Sequence, residues 1–358
     1  MKKRWIGLMI GLLYIVGLGG FSASTYAEEG ASDASSSMTG FSYKVVLPEN
    51  QRTEGVGYFD LRMAPGQNQT VQIELKNNSS IEKTITVSLN GVKTNGNGVL
   101  EYGPFAMDND ASLKYDFVDL VTGPETVVLP VGETVTLDLA IAMPEGSYDG
   151  VIAGGIQMKE AVDEEAREKQ TGVINEYAFL VGMRLTETDT EVLPELALNK
   201  VYAGSNNARN TIFVNFSNVE AAYLEGLTVE TQITKQGSED ILYDTKKANM
   251  QVGPNNMVDF PVSMNGERME AGEYHAHVLA TAGERVWEWD QDFTITDEEA
   301  DQFNTKDVQL TQEQGINWLL VGLIVGGGLL LGGLVFLLVY LRNKKKKQAK
   351  RKPKKKRK

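Results

Sequence analysis

The sequence predicts a mainly β protein, in which two antiparallel β-sandwich domains precede one C-terminal transmembrane helix. Apolar and polar residues alternate over short stretches in the middle of the chain, as in strands with one buried face. Clusters of Gly, Pro, Asn and Ser separate these stretches. One long, uncharged apolar segment follows near the C-terminus.

Residues 1–27 are predicted to be a secretory signal peptide. Positions 2–4 are basic, residues 5–21 are uncharged and mostly apolar, and residues 25–27 end in a small-residue cleavage site. The alternative is an N-terminal anchor that is not cleaved. Both interpretations place the middle of the chain outside the cell.

Residues 41–159 are predicted to form the first sandwich. Before them, residues 28–40 are small and polar, and we interpret these as a flexible leader because they lack the apolar side chains of a core. Alternation is clear in Val71-Gln-Ile-Glu-Leu75 and in Val135-Thr-Leu-Asp-Leu-Ala-Ile141. Period-two stretches of this kind indicate an antiparallel sandwich.

Residues 173–296 are predicted to form the second sandwich, with residues 177–185 as its first strand. A charged connector, residues 160–172, precedes it and has the acid–base spacing of a short exposed helix. At roughly 120 residues each, the two units have the size of immunoglobulin-like domains. Residues 297–315, acidic and then rich in Gln and Thr, are interpreted as a stalk.

Residues 316–341 are predicted to be the transmembrane helix. They carry no charge, and at about 1.5 Å per residue they are long enough to cross a hydrocarbon core of roughly 30 Å. Trp318 and Tyr340 are spaced so that each ring lies at one headgroup boundary.

The basic tail, residues 342–358, sets the expected orientation. It contains thirteen Lys or Arg and no acid, an excess that keeps a segment in the cytoplasm, so the ectodomain is expected to face the cell wall. We expect the tail to lie on anionic membrane lipid. Nucleic acid, the other polyanion that such a run attracts, is not expected as a partner.

The ectodomain is more acidic than the whole-chain net charge of −13 suggests. Residues 28–315 contain 19 Lys or Arg against all 48 Asp or Glu, a formal net charge of −29. A surface of this charge repels anionic polymers such as teichoic acid or DNA, and it favours a basic partner.

The chain contains no cysteine, although disulfides form readily outside the cell. Their absence favours a bacterial surface, and a single membrane followed by a wall favours a Gram-positive one. It also excludes a lipid anchor on cysteine.

Two groups of polar residues are candidate metal sites. His275 and His277 would point to one face of a strand, as metal ligands require, but no third ligand is evident, and the alternative is a wet sheet face. Asp108-Asn-Asp110 offers oxygen ligands for calcium without an EF-hand pattern, and the alternative is a solvated turn. The sequence predicts no metal site and no cofactor.

No catalytic residue is predicted. Nucleophilic hydrolysis needs a nucleophile beside a base, and the chain has no thiol, no Gly-x-Ser-x-Gly motif and one pair of histidines. Carboxylate pairs for glycoside hydrolysis are uninformative among 48 acids.

Trp287 and Trp289 are candidate ligand-binding residues. Both lie on one face of a predicted strand, where they would form a stacking platform for sugar or peptide. The alternative is that both belong to the core.

Several sequence blocks of the ectodomain occur in the order seen in a known family. In the first domain they are Pro48-Glu-Asn-Gln51, Gly57-Tyr-Phe-Asp-Leu-Arg-Met63, Thr94-Asn-Gly-Asn-Gly98 and Asp149-Gly-Val-Ile-Ala-Gly-Gly-Ile156. In the second they include Ile174-Asn-Glu-Tyr-Ala178, Gly272-Glu-Tyr274 and Trp287-Glu-Trp289. With these blocks the chain resembles the WxL-interacting proteins of Gram-positive bacteria. Val252-Gly-Pro-Asn-Asn256 departs from the Ala-Pro-Asn-Ser type of turn expected there.

The resemblance implies a first domain that associates with peptidoglycan and a second that binds a host or extracellular-matrix ligand. It also implies assembly with WxL-domain proteins and no catalytic residues. The Asn-rich turns supply candidate glycan contacts at Asn50, Gln51, Asn95 and Asn97, although these residues are explained equally well as turn formers.

We therefore predict a non-enzymatic binding and assembly protein, anchored once in the cell membrane, whose strand edges accept partners by β-augmentation. The alternative is a stand-alone wall-carbohydrate-binding module. A wall hydrolase is a third hypothesis.

Overall fold

A computed structural model of the chain describes residues 40–161, 176–312 and 318–349. The predicted signal peptide, residues 28–39 of the leader and residues 350–358 of the tail lie outside the described residues. Most of the predicted connector also lies outside them.

The first domain consists of two main sheets and a two-stranded arm. Its strands are β1 Phe41–Val46, β2 Phe59–Arg62, β3 Asn68–Asn77, β4 Lys83–Gly91, β5 Lys93–Thr94, β6 Leu100–Glu101, β7 Val121–Thr122, β8 Thr126–Leu129, β9 Thr134–Ala142, β10 Ile152–Glu160 and β11 Ala178–Thr186. One sheet has the order β1-β3-β9-β7 and the other β2-β11-β10-β4-β8, while β5 and β6 form the arm. A short helix, α1 (Phe117–Leu120), precedes β7.

Strict alternation along the strands builds the core of this domain. In β9, Leu137, Leu139 and Ile141 are at most 1% exposed, whereas the residues between them face solvent. They pack with inward side chains of the opposite sheet, such as Leu61 and Ile156. Burial of one face of each sheet is the main force that joins the two layers.

Strand β11 lies in the first domain, although residues 177–185 were expected to begin the second. It pairs antiparallel with β10, Lys159 opposite Ala178, and parallel with β2, Leu185 opposite Leu61. The charged segment expected to connect the domains therefore links two neighbouring strands of one sheet. The chain passes between the domains after Thr186 instead.

The second domain is a sandwich of a three-stranded and a four-stranded sheet. Its strands are β12 Leu196–Asn206, β13 Arg209–Asn218, β14 Leu224–Lys235, β15 Ile241–Val252, β16 Asn256–Ser263, β17 Gly272–Ala282 and β18 Arg285–Ile295. The sheet orders are β12-β13-β16 and β15-β14-β17-β18, with antiparallel pairing throughout. The predicted fold class, mainly β with two antiparallel sandwiches, is confirmed.

Two helices follow the last strand, where a stalk was expected. Helix α2 (Asp297–Lys306) is capped by Thr296, which forms a capping box with Glu299, and α3 (Val308–Gln312) follows it. Asn304 of α2 is buried. Its Oδ1 accepts a hydrogen bond from the Met269 amide at 2.8 Å, and its Nδ2 donates to the Met269 carbonyl at 2.9 Å. Residues 297–307 are thus packed on the second domain rather than forming a free stalk.

Helix α4 (Trp318–Ala349) contains the predicted membrane span. Within it, residues 322–342 are long and apolar enough to cross a membrane, by length and composition. The helix continues into the first residues of the basic tail.

Candidate binding cleft between the two domains

Two adjacent glycines on β10 allow close packing on both faces of the sheet. A Cβ at Gly154 would lie 2.2 Å from the Phe117 ring on the core side. A Cβ at Gly155 would lie 2.3 Å from the backbone oxygen of Tyr102 on the outer side. Any side chain at either position would displace its neighbour. The Ala-Gly-Gly sequence of β10 therefore seats Tyr102 directly on the outer face of the sheet.

The arm formed by β5 and β6 reaches from the first domain onto the second. A Cβ at Gly98 would lie 2.4 Å from Cβ of Met250, so the backbone of the arm touches β15. Beside this contact, the amide of Gln251 donates to the Gly98 carbonyl at 2.8 Å. The arm is thereby attached to an edge strand of the second domain.

A buried hydrogen-bond network joins the domains at the base of the arm. The Thr94 hydroxyl donates to Oδ1 of Asn256 at 2.9 Å and accepts from the Gly253 amide at 3.0 Å. Nδ2 of Asn256 donates to the Val92 carbonyl at 3.0 Å. Thr94 and Asn256 are at most 5% exposed. Buried polar groups with complete partners fix the geometry of a contact, because breaking one leaves the other unsatisfied.

Asn255 and Ala221 add further contacts to this junction. Nδ2 of Asn255 donates to the Ser112 carbonyl at 3.2 Å and to the Val219 carbonyl at 3.0 Å. The Val151 amide donates to the Ala221 carbonyl at 2.8 Å. The turn that departs from the family pattern, residues 252–256, therefore lies at the centre of the contact between the domains.

An open cleft of about 610 Å³ lies along the junction. Tyr58 and Tyr102 of the first domain and Tyr223 of the second line it. Arg184 of β11 lies over the Tyr223 ring, 5.3 Å from its centroid, and the hydroxyls of Tyr102 and Tyr223 are 3.2 Å apart. A Cβ at Gly182 would be 3.8 Å from Cβ of Tyr58, so the glycine leaves space between the tyrosines. The cleft has the size and aromatic lining of ligand sites.

A second cavity of about 390 Å³ adjoins the cleft. Arg184 and Tyr223 line both cavities, and the second also contains Arg52, Thr188 and Glu191. The Arg184–Tyr223 pair therefore lies between two open spaces that a single extended ligand can fill.

The charges in the cleft are mixed. Nε of Arg184 is buried and has no hydrogen-bond partner among the described residues. Glu101 and Glu225 also line the larger cavity, and Glu101 accepts a hydrogen bond from Asn95 at 2.5 Å. Burial raises the pKa of Tyr223, so its hydroxyl stays neutral and can donate a hydrogen bond.

Asn50 and Gln51, predicted as glycan contacts, hold the loop that precedes β2. Nδ2 of Asn50 donates to the Arg62 carbonyl at 2.8 Å and to Oε1 of Gln69 at 2.9 Å. Oε1 of Gln51 accepts from the Asp60 amide at 3.1 Å. Both side chains form hydrogen bonds within the first domain, and neither lines the cleft.

Asn95 and Asn97 belong to the arm. Oδ1 of Asn95 accepts from the amides of Asn97 and Val99, at 2.9 and 3.2 Å, and so shapes the turn. Oδ1 of Asn97 accepts from Nζ of Lys247 on β15 at 2.5 Å. These residues attach the arm to the second domain, and they do not line the cleft.

Trp287 and Trp289 face the core of the second domain. Trp287 is 8% exposed, and its Nε1 donates to Oε1 of Glu195 at 3.0 Å. Trp289 is half-buried and stacks on Phe216 with ring centroids 6.3 Å apart. The structure does not bring this pair to the cleft.

His275 and His277 lie on the outer face of β17, opposite acids of β18. Nδ1 of His275 is 2.7 Å from Oδ1 of Asp292, and Nδ1 of His277 is 3.0 Å from Oδ1 of Asp290. The hydrogen bond to Asp292 is the main cause that raises the pKa of His275. Among the described residues, no three His, Asp or Glu side chains are arranged to hold a metal ion.

The turn at residues 108–110, considered for calcium, contributes to the junction. Oδ1 of Asp110 accepts from the amide and hydroxyl of Ser112, at 2.8 and 2.6 Å. Its Oδ2 accepts from the hydroxyl of Ser217 in the second domain. The carboxylate therefore stabilises a turn and a contact between domains.

The cleft residues Tyr58, Tyr102, Arg184 and Tyr223 were not predicted from the sequence. A weak signal was present, because Tyr58 follows Gly57 in one family block and Tyr102 precedes Gly103. Because glycine has no side chain, a glycine next to a tyrosine can leave space for a ligand beside the tyrosine ring. Nothing in the local pattern connects these positions with Tyr223.

The fold defines a protein of two β-sandwich domains followed by an apolar helix. The WxL-interacting protein peptidoglycan-binding domain model matches residues 41–160, and the host-binding domain model of the same family matches residues 168–305. The chain belongs to the WxL-interacting protein family, a family of cell-surface proteins that bind peptidoglycan and host ligands.

Solved structures that resemble the chain include several bacterial chaperones. The class 5 fimbrial chaperone CfaA is 13% identical with a TM-score of 0.28, and the match covers 70% of this chain and 98% of the chaperone. The E. coli chaperone DraB is 11% identical with a TM-score of 0.25, covering 71% and 98%. No curated protein matches the chain. The family is shown by the two domain models and not by these structural likenesses.

Proposed function

We propose that this protein is a non-enzymatic binding and assembly protein of the cell surface. Its first domain associates with peptidoglycan, its second binds a host or extracellular-matrix ligand, and WxL-domain proteins dock on it. The supporting observation is the junction, where buried hydrogen bonds of Thr94 and Asn256 tie the domains together beside an open aromatic cleft. Two joined domains with such a cleft present surfaces for binding.

The residues that line the cleft support binding rather than catalysis. Burial raises the pKa of Tyr223, so this hydroxyl is a poor base near neutral pH. His275 and His277 lie on the outer face of the second domain, hydrogen-bonded to acids of β18. The cleft therefore lacks a histidine base among its described residues.

WxL-domain proteins dock, in this proposal, on an open strand edge of the first domain. Strand β8 pairs with β4 on one side and has no strand on its other side among the described residues. Val128 within β8 and Val131 after it are 50% and 53% exposed. Unpaired backbone groups beside exposed apolar side chains can accept an added strand.

The docking proposal is tested by pull-down of co-encoded WxL-domain proteins with the full chain in detergent micelles. Val128→Lys is expected to weaken capture, because a charge on the edge opposes strand addition. Val286→Lys is a matched control, since Val286 is 61% exposed in the second domain. Capture of no WxL-domain protein by the unchanged chain would count against assembly and would favour a stand-alone wall-carbohydrate-binding module.

The peptidoglycan proposal is tested by co-sedimentation of the full chain with purified insoluble peptidoglycan. We expect the protein in the pellet at physiological salt. Because the net acidic ectodomain gains no general attraction to an anionic wall, its sedimentation would indicate specific binding. Protein that stays in the supernatant would contradict this part of the proposal.

The proposed location is a single membrane span with the ectodomain outside and the C-terminus in the cytoplasm. The apolar stretch of α4 and the thirteen basic residues after it support this orientation. Protease added to intact, wall-stripped cells should remove the ectodomain and leave an epitope at the C-terminus protected. Digestion of that C-terminal epitope would reverse the orientation.

A further inference from the structure

We propose that the cleft between the domains binds a short peptide that presents a carboxylate to Arg184 and an amine to Glu101 and Glu225. This inference rests on the proposed association with peptidoglycan, whose crosslinking peptides carry both groups. It assigns a site to that association, shared by both domains.

Arg184 is directed to the cleft by the alternation of β11. Val181, Met183 and Leu185 of this strand are at most 1% exposed and face the core. Arg184 lies between them in sequence and therefore on the outer face of the sheet, where it lines both cavities.

One donor of the Arg184 guanidinium lacks an acceptor in the described part of the chain. Its Nε is buried without a hydrogen-bond partner among the described residues. A buried donor without a partner is unfavourable, and a carboxylate is the best complement of a guanidinium because it accepts two parallel hydrogen bonds. Stacking on Tyr223 already restrains the side chain, so little rotamer freedom is lost on binding.

Carboxylates of the protein lie in the same cavity as Arg184. Glu101 and Glu225 line the 610 Å³ cleft together with the apolar side chains of Leu100 and Leu180. A neutral sugar carries no charge that could pair with Arg184 or with the two glutamates. A short peptide with a free carboxylate, an amine and an aliphatic side chain complements all of them, which favours peptide over glycan.

The two adjoining cavities favour an extended ligand. The ligand passes over the Arg184–Tyr223 pair and enters the 390 Å³ cavity, whose lining includes Thr186 and Thr188. Threonine hydroxyls can both donate and accept, so they suit the backbone of a peptide. Because Tyr223 belongs to the second domain, binding depends on the intact junction.

Isothermal titration calorimetry of the full chain in detergent micelles tests this assignment with three probes. The first is the tripeptide L-Ala-γ-D-Glu-L-Lys, the second is the same tripeptide with its carboxylates amidated, and the third is the tetramer of N-acetylglucosamine. We expect the first to bind and the second to bind at least about tenfold more weakly, since charge-assisted pairs are the strong ones. We expect no measurable binding of the sugar.

Two substitutions and a control locate the site. Arg184→Gln should weaken the tripeptide at least about tenfold. Gly182→Val should also weaken it, because its methyl groups occupy the space beside Tyr58 and Tyr102. Arg268→Gln makes the same charge change on an exposed side chain outside the cleft and should leave affinity unchanged. Thermal unfolding verifies that each variant is folded.

Three results would overturn the inference. They are equal affinity for the free and amidated tripeptides, unchanged affinity in Arg184→Gln, and binding of the sugar tetramer in place of the peptide. The probe comparison uses the unchanged chain, so it decides the question even if a variant does not fold. If the protein sediments with peptidoglycan but binds no tripeptide, only this inference fails. If it does not sediment, the proposed function fails as well.

Discussion

The domain junction and the outer face of the second domain are both polar, but they use polar side chains in opposite ways. At the junction, Thr94 and Asn256 are buried and uncharged, and each has fixed partners. On the outer face, the exposed side chains of His275 and Asp292 form a hydrogen bond that becomes an ion pair when the histidine is protonated. Water replaces a lost partner on the outer face but not in the junction. The comparison teaches that losing a buried, uncharged partner at the junction should cost more stability than losing an exposed, charged partner on the outer face.

The largest effect is expected from Asn256→Ala. The substitution leaves the Thr94 hydroxyl without an acceptor and the Val92 carbonyl without a donor. At about 1–3 kcal/mol for each unsatisfied group, the free energy of unfolding should fall by about 3 kcal/mol. Chemical denaturation of the full chain measures this free energy. Asn68→Ala, which removes an exposed amide, is the control. An equal loss of stability in both variants would show that the buried amide matters no more than an exposed one.

A smaller loss is expected from Gly150→Ala. Gly150 has φ +98°, and an added Cβ would lie 2.4 Å from the Ala221 carbonyl oxygen across the junction. Strain and contact together should lower stability by about 2 kcal/mol, measured by calorimetric unfolding. Gly132→Ala has a similar φ, +72°, with no atom within 4 Å of the added Cβ, so it isolates the strain. If the two substitutions cost the same, the junction is looser than its contacts indicate.

Asn304→Ala extends the comparison to a buried amide outside the junction. The side chain bonds the Met269 backbone and Nδ2 of Asn210, and its loss should release α2 from the second domain. We expect a cost of about 1–2 kcal/mol, since water can enter at the helix end. Amide hydrogen exchange should become faster in residues 297–306 while β14 and β17 keep their protection. Faster exchange throughout both domains would show that α2 is not an independent unit.

The smallest effect is expected on the outer face, as a pH dependence. Hydrogen bonds to Asp292 and Asp290 hold the pKa of His275 above 6.5. A hydrogen bond with His277 is the main cause that lowers the pKa of Asp290, and a hydrogen bond with His275 is the main cause that lowers the pKa of Asp292. Both pKa values lie below 3.8. The histidine contribution is complete below pH 6.5 and is lost as pH rises through the raised pKa. The aspartate contribution is complete above pH 3.8 and is lost as pH falls through the lowered pKa.

Both contributions are therefore present together between pH 3.8 and 6.5. NMR titration should show the pKa of His275 above its usual value and a return towards 6.5 in Asp292→Asn. An unchanged pKa in that variant would show that the outer-face pair has no electrostatic role.

The fold was largely predictable because alternation is a local property. Stretches such as residues 71–75 and 135–141 identify their strands without reference to a partner. The placement of β11 in the first domain was missed because its alternation suits either domain and the charged segment before it was interpreted as a connector. Its antiparallel partner is β10, the preceding strand, and its parallel partner, β2, lies more than a hundred residues earlier. Helix α2 could have been found, because Thr296 and Glu299 have the spacing of a capping box.

The cleft was less predictable than the fold. Its tyrosines and Arg184 come from four separate parts of the chain, and only the packing of the two domains brings them together. Asparagine in a turn is ambiguous from sequence, since the same amide can face a ligand or its own backbone. The side chains of Asn50 and Asn95 form hydrogen bonds with the protein's own backbone, with Arg62 and Asn97 respectively. Close packing accounts for Gly98, Gly154 and Gly155, three glycines of the sequence blocks that carry the family resemblance.

The attachment of α2 and α3 to the second domain limits how far this domain can lie from the apolar helix. Only residues 313–317 separate the end of α3 from Trp318, and fully extended they cover at most about 20 Å. The second domain is thus connected to the start of the apolar helix by a short segment. With α4 in the membrane, as proposed, the second domain therefore stays near the bilayer surface, and a host ligand has to approach it there.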